Sequence, residues 1–198
     1  MKLFTFPMAP NPARIDFYLR EKNLQLETVI IDLPSGEHRQ AAHLARHPGA
    51  AVPVLELDDG RFLIESLAII EYLEECYPSP AMIGETPEDR AFTRATERFI
   101  ELQIFLRLVR YIHATNSPIG LPPNPALADN ELRYLPDALT RLDNIIGDHD
   151  FVTGNRPTIA DCTLMGGLRF ALVFGWKLDA QYSNVSRRYA LFSGRHQQ

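Results

Sequence analysis

Val52-Pro53-Val54-Leu55-Glu56-Leu57-Asp58-Asp59-Gly60-Arg61-Phe62-Leu63-Ile64-Glu65-Ser66-Leu67-Ala68-Ile69 is the stretch whose reading decides the fold. Apolar runs over 54–57 and 62–64 flank Asp58-Asp59-Gly60-Arg61, where Asp-Gly supplies the positive φ of a tight hairpin. An antiparallel pair is therefore expected. Directly after it, Ser66 precedes Leu67, Ile69, Ile70, Tyr72, Leu73 and Cys76, an apolar stripe at helical spacing that Ser66 or Glu65 can cap. The unit reads as ββα.

Working back toward the start, residues 2–6 form an apolar strand, 12–22 a helix carrying Ile15, Tyr18 and Leu19, and 27–31 a second strand. A loop at Pro34-Ser35-Gly36 and a weaker helix over 39–46 complete a βαβ unit, so the expected order is βαβ then ββα, as in an open sheet.

Downstream, 78–87 loses periodicity and concentrates proline, as a linker does. The expected division is a domain over 1–78, a linker over 79–87 and an all-helical domain over 88–198. Its helices are read over 88–114 and, after a proline-rich break at 117–125, over 129–146 with Leu132, Leu135, Leu139, Leu142 and Ile146, with Pro136 kinking or dividing the second. Another starts at Thr158-Ile159-Ala160-Asp161, a capping-box pattern with Asp in place of Glu, and carries Leu164, Leu168, Ala171 and Leu172. The polar tail after Trp176 is expected to be less ordered.

The 198 residues are 45% apolar and 23% charged, which excludes disorder as the main state. A formal charge of -5 argues against nucleic acid as the partner. With no apolar run near the roughly 20 residues of a membrane span and no signal-peptide pattern at the start, a cytoplasmic protein with no membrane partner is expected. Cys76 and Cys162, far apart and without a CxxC, read as buried, inert thiols. His43 and His47 lie four apart and His38 is nearby, but zinc needs a third and usually a fourth ligand and the HExxH glutamate is missing. No metal is expected, and these read as surface or capping histidines.

In an open sheet, ligands bind beyond the carboxyl ends of the strands, here at Pro7-Met8-Ala9-Pro10-Asn11 and the following helix start, whose free N–H groups at Ala13 and Arg14 favour an anion. Glu65-Ser66 opens a second helix with the same property. Between them, a cis Val52–Pro53 bond would turn the Val52 N–H and C=O outward as an edge for an extended peptide. Two anion sites flanking such an edge suit a small peptide with a carboxylate at each end.

Pro10-Asn11 with Arg14, Val52-Pro53-Val54-Leu55, 59–69 and Thr158-Ile159-Ala160-Asp161 together resemble the cytosolic glutathione S-transferase family over roughly 1–172, and most nearly its bacterial members with a Ser/Thr-Pro-Asn sulfur site. The resemblance implies a thioredoxin-like first domain that holds glutathione, an all-α second domain that completes the pocket for a small hydrophobic co-substrate, and a homodimer. By position it implies that Val52 pairs with the cysteinyl backbone, that Pro53 is the cis-proline, that Glu65 and Ser66 hold the γ-glutamyl end, and that His38 reaches the glycine carboxylate.

Two departures stand out. Ala9 occupies the place of the usual serine or cysteine, and its methyl donates no hydrogen bond to sulfur. A thiol of pKa about 8.5 is about 3% thiolate at pH 7, and reaching about 6.5 takes about 2.7 kcal/mol, within the roughly 1.5–3 kcal/mol of one charge-assisted hydrogen bond. Asn11 is the nearest candidate donor; it also reads as a cap ahead of Pro12. Ala51 replaces a Lys or Gln on the glycine end, for which His38 or Arg39 compensates. Arg14 reads either as an anion-steering group or as a solvated surface residue.

On the long helix, Phe99, Leu102, Phe105, Leu106, Val109 and Ile112 read mainly as packing, while Arg107, Arg110 and Tyr111 are candidate co-substrate contacts. From the first domain Met8 is the candidate, because a flexible thioether adapts to varied apolar ligands. The expected function is conjugation of glutathione to a hydrophobic electrophile. Glutathione-dependent disulfide reduction in the same site, and a non-catalytic scaffold that has lost its hydroxyl, stay open beside it.

Overall fold

The computed structural model describes residues 1–195. The chain divides between Pro80 and Ala81 into two compact units, within the proline-rich stretch.

In the first unit the strands are β1 (Lys2–Thr5), β2 (Glu27–Ile30), β3 (Val54–Glu56) and β4 (Phe62–Leu63), and the helices are α1 (Pro10–Glu21), α2 (Ala41–Leu44) and α3 (Ser66–Cys76). The sheet order is β2-β1-β3-β4, with β1 parallel to β2 and antiparallel to β3, and β3 antiparallel to β4. The expected βαβ followed by ββα is what forms. Phe4 lies opposite Val54 and Leu3 opposite Leu55, so side-chain alternation sends the first pair to one face and the second to the other. Phe4, Ile31, Val52 and Val54 make one core cluster, with Ala9 and Phe6 against it. Helices α1 and α3 pack on each other, and α3 also packs on β3.

The ends of α1 and α3 are joined by a buried charge. Lys22 Nζ reaches Glu74 Oε2 at 2.6 Å and the carbonyls of Tyr77 and Pro80 at 2.6 Å each, while Tyr18 Oη donates to the same Glu74 oxygen at 2.8 Å. An ammonium withdrawn from water needs this many acceptors.

The second unit contains α4 (Pro87–Ile100), α5 (Leu106–Thr115), α6 (Pro125–Ile146), α7 (Ile159–Val173) and α8 (Ser183–Arg195). The single helix expected over 88–114 is divided by a π turn, Glu101–Phe105, closed by the Leu106 N–H on the Glu101 carbonyl. Gly167 of α7 explains how this bulge is accommodated: a Cβ there would lie 3.0 Å from Phe105 Cδ2 and 3.2 Å from its Cα. Helix α6 starts earlier than expected, capped by Asn124 Oδ1 on the Leu127 N–H at 3.1 Å, and runs through Pro136 as one element. Leu102 and Leu132 face out, so the apolar stripes assigned to packing are not wholly buried.

The capping box at Thr158 is present: Asp161 Oδ2 accepts the Thr158 N–H at 2.9 Å, and Oδ1 accepts the Val152 N–H at 3.0 Å and Arg188 Nε at 3.1 Å. Arg188 belongs to the tail that was expected to be weakly ordered, and the structure corrects that expectation. Helix α8 is docked by Arg188, buried over the Phe151 ring, and by Asp143 Oδ1, which accepts the Asn184 and Val185 N–H groups at 2.9 Å each. Residues 196–198 of that tail lie outside the described residues. A second correction concerns Cys76, which is exposed where burial was expected; Cys162 is buried.

Asp161→Ala takes the carboxylate from a buried guanidinium and the acceptor from two N–H groups, and should lower unfolding free energy by about 3–5 kcal/mol in urea titrations; a loss within about 1 kcal/mol would assign the pair no anchoring role. Gly167→Ala should cost about 1–3 kcal/mol by the same measurement, because the methyl overpacks against Phe105.

Candidate glutathione site

Helix α1 begins two residues earlier than its sequence pattern suggests. Ala9 is the N-cap, with Pro10 as the first helical residue, Asn11 the second and Pro12 the third. Prolines carry no N–H, and the Ala13 N–H is taken by the Ala9 carbonyl at 3.0 Å. The anion cradle expected from Ala13 and Arg14 is thereby corrected. In the first three helical positions Asn11 alone offers a backbone donor.

Asn11 does not cap the helix either. Its Oδ1 accepts from Arg14 Nη2 at 3.1 Å and from Ser66 Oγ at 3.1 Å. Arg14 Nε in turn donates to Ser66 Oγ at 2.7 Å. Because a guanidinium only donates, the amide oxygen must face Arg14, and the NH₂ group must face away. Among the described residues that NH₂ group has no partner. Arg14 is 2% exposed, which replaces the reading of a solvated or steering arginine by that of an internal brace.

Ser66 is 2% exposed and opens α3, where the Ile69 N–H bonds back to the Glu65 carbonyl. Earlier N–H groups of an eleven-residue helix are left to bind an anion. Glu65, the N-cap, makes no side-chain cap bond and has φ of 68° and ψ of 112°. A glutamate in that region carries about 1–3 kcal/mol of backbone strain. The conformation places an exposed carboxylate beside free N–H donors, a pair that suits an ammonium and a carboxylate on one carbon.

The Val52–Pro53 peptide is cis. The Val52 side chain is packed into the core with Phe4, Ile31 and Val54, while among the described residues neither its N–H nor its C=O has a hydrogen-bond partner. A side chain held inward and a main chain left unpaired make the edge expected from the sequence.

His38 lies in the 3₁₀ turn Glu37–Arg39, and its Nδ1 is buried without a partner. Burial, reinforced by Arg39 and His43, lowers its pKa below the usual imidazole range. A neutral ring can hydrogen-bond a carboxylate but brings it no full charge. Ala51, next to Val52 in sequence, is exposed and adds only a methyl. His43 is 1% exposed, which corrects its reading as a surface histidine.

Of the other candidates, Met8 is 44% exposed in the loop after β1. In the second unit, Arg107 pairs with Glu131 at 3.1 Å, bonds Gln103 at 3.2 Å and lies over the Tyr134 ring. Tyr111 is half-buried on α5, and Arg110 is 3.9 Å from Glu131. No group of three or more metal-ligating side chains occurs among the described residues, and no described helix is long and apolar enough to cross a membrane.

Comparison with known proteins bears on the family and the fold. The family descriptions "Glutathione S-transferase, N-terminal domain" and "Glutathione S-transferase, C-terminal domain" match residues 3–81 and 100–195. The chain is 34% identical over 187 residues to the maleylacetoacetate isomerase of Pseudomonas aeruginosa, covering 91% of this chain and 85% of that one. It is 33% identical over 181 residues to glutathione S-transferase 2 of Saccharomyces cerevisiae, covering 87% and 77%. Among solved structures, a glutathione S-transferase domain-containing protein of Marinobacter aquaeolei superposes with a TM-score of 0.90 at 28% identity, covering 99% of this chain and 98% of that one. With both family descriptions matched and the mixed sheet and helical unit both formed, the chain belongs to the glutathione S-transferase family.

Proposed function

We propose that this protein binds glutathione, promotes its thiolate and directs the sulfur at a hydrophobic electrophile. The observation that carries the reading is the amide of Asn11, whose oxygen is held by Arg14 and Ser66 so that its NH₂ group is free at the start of α1. A preset donor stabilises the thiolate more than the thiol and needs no reorganisation when charge develops. Val52 supplies the peptide edge at Pro53, Glu65 and Ser66 take the γ-glutamyl end, and neutral His38 hydrogen-bonds the glycine carboxylate. Met8, Tyr111 and Arg107 are the proposed co-substrate contacts, glutathione is the only cofactor proposed, and the assembly proposed is a cytoplasmic homodimer.

A second reaction is favoured by the 34% identity to an enzyme named maleylacetoacetate isomerase. In it the thiolate adds to one carbon of a cis double bond, rotation follows about the new single bond, and expulsion of the same thiolate restores a trans double bond. Glutathione is regenerated, so no oxidant or reductant is needed. Parallel assays with an aryl halide, a maleyl acid and a mixed disulfide separate conjugation, isomerisation and disulfide reduction. Failure to bind immobilised glutathione at millimolar levels selects the scaffold reading.

Asn11→Ala should raise the pKa of enzyme-bound thiol by about 1–2 units, the loss of one charge-assisted hydrogen bond, in a thiolate absorbance titration. An unchanged titration removes Asn11 from the mechanism. Glu65→Gly should move two properties in opposite directions: unfolding free energy rises by about 1 kcal/mol as the strain is relieved, while glutathione affinity falls by about tenfold or more with loss of the carboxylate. Calorimetry and denaturant titration of one preparation read both. A weaker fold with unchanged affinity would refute that assignment.

A further inference from the structure

The loop before Val52 is shaped by two imidazoles. His43, on α2, is 1% exposed, and its Nε2 lies 2.8 Å from the Ala51 carbonyl oxygen. That oxygen only accepts, so Nε2 carries the hydrogen and donates. The other ring nitrogen, Nδ1, is buried without a partner, a burden that a phenyl ring in the same place would not carry. What the imidazole adds over hydrocarbon is therefore the bond to Ala51.

Ala51 C=O and Val52 N–H belong to the same peptide plane, and that peptide is trans, the cis bonds among the described residues being Val52–Pro53 and Ser79–Pro80. In a trans unit the two groups point in opposite directions. Gripping the Ala51 oxygen from the α2 side consequently aims the Val52 N–H away from α2. The rest of the loop is set in the same manner. His47 Nδ1 accepts the Gly49 N–H at 3.0 Å, its carbonyl accepts the Ala50 N–H at 2.9 Å, and Ala50 takes φ of 53°. A Cβ on residue 49 would come within 2.8 Å of the His47 ring, so glycine there lets the ring approach this closely.

We propose that His43 is a positioning residue for the thiol peptide: it fixes the Ala51–Val52 peptide plane so that the Val52 N–H meets the cysteinyl backbone, with His47 shaping the turn behind it. This rests on the glutathione reading above. His43 touches no reacting atom and acts only through Ala51.

The test is calorimetric titration of glutathione into the wild-type chain, His43→Phe and His43→Gln, with steady-state kinetics alongside. Phe keeps the bulk and removes the donor; the Gln side-chain amide nitrogen can replace Nε2. His43→Phe should weaken glutathione about tenfold, about the worth of one hydrogen bond. KM for glutathione should rise with kcat at saturation unchanged, and His43→Gln should recover affinity to within about threefold of wild type. Equal affinity in all three proteins, or a Gln variant as weak as the Phe variant, overturns the inference while leaving the glutathione reading intact. No binding by the wild type overturns the reading itself. Should His43→Phe not fold, His47→Ala and His47→Asn replace the pair: Ala is expected to weaken binding severalfold and Asn, which restores an acceptor for Gly49, to recover it. Equal affinity in that series overturns the inference as well.

Discussion

A guanidinium withdrawn from water must find acceptors, and the burial of Arg14 is the constraint on which the polar side of the first unit depends. It takes the Asn11 oxygen and the Ser66 hydroxyl, one from each helix. The Ser66 hydroxyl then sends its own hydrogen to Asn11. Three side chains from two helices thus share one donor–acceptor order with no rotational choice left, because Arg14 cannot accept and the amide cannot be reversed without setting donor against donor. The free NH₂ of Asn11 follows from a cation that need never touch the ligand.

The same economy recurs in the second unit. Asp161 satisfies the start of α7 and, through its other oxygen, Arg188 of α8, so one carboxylate fixes both a helix terminus and the docking of a distant helix. In both places a buried cation draws groups from two helices into one hydrogen-bonded arrangement, so what it fixes is their orientation. Strain is placed differently. Glu65 carries its unfavourable φ at the exposed start of α3, where the gain is a carboxylate beside unpaired N–H groups.

Much of this was legible from the chain. Asp59-Gly60 announces the hairpin, Thr158 with Asp161 announces a helix start, and the unpaired Val52 edge follows from a proline that must bend the chain without leaving the sheet. Other features were hidden. The true cap of α1 is Ala9, a residue with no capping chemistry: Pro10 and Pro12 carry no N–H to be capped, and the one donor left in the first three positions is that of Asn11. Arg14 and His43 look like surface residues in any window of neighbours, and only distant partners explain their burial: Ser66 lies 52 positions from Arg14, and Ala51 lies eight positions beyond His43. Helix α8 leaves little trace in the sequence because its anchor, Arg188, is a charged residue, which periodicity reads as solvent-facing although it is buried.

The sequence by itself determined the order of strands and helices, the hairpin, the capping box at Thr158 and the identity of the residues at the peptide edge, since these depend on contacts between near neighbours and on the intrinsic geometry of Pro, Gly and Asp. Tertiary structure decided which way the Asn11 amide faces, that Arg14 is a brace, that His43 holds Ala51 and that α8 is locked in place. Each of those depends on a buried polar group finding a partner outside its own helix, and such a partner is in reach only once the elements have met.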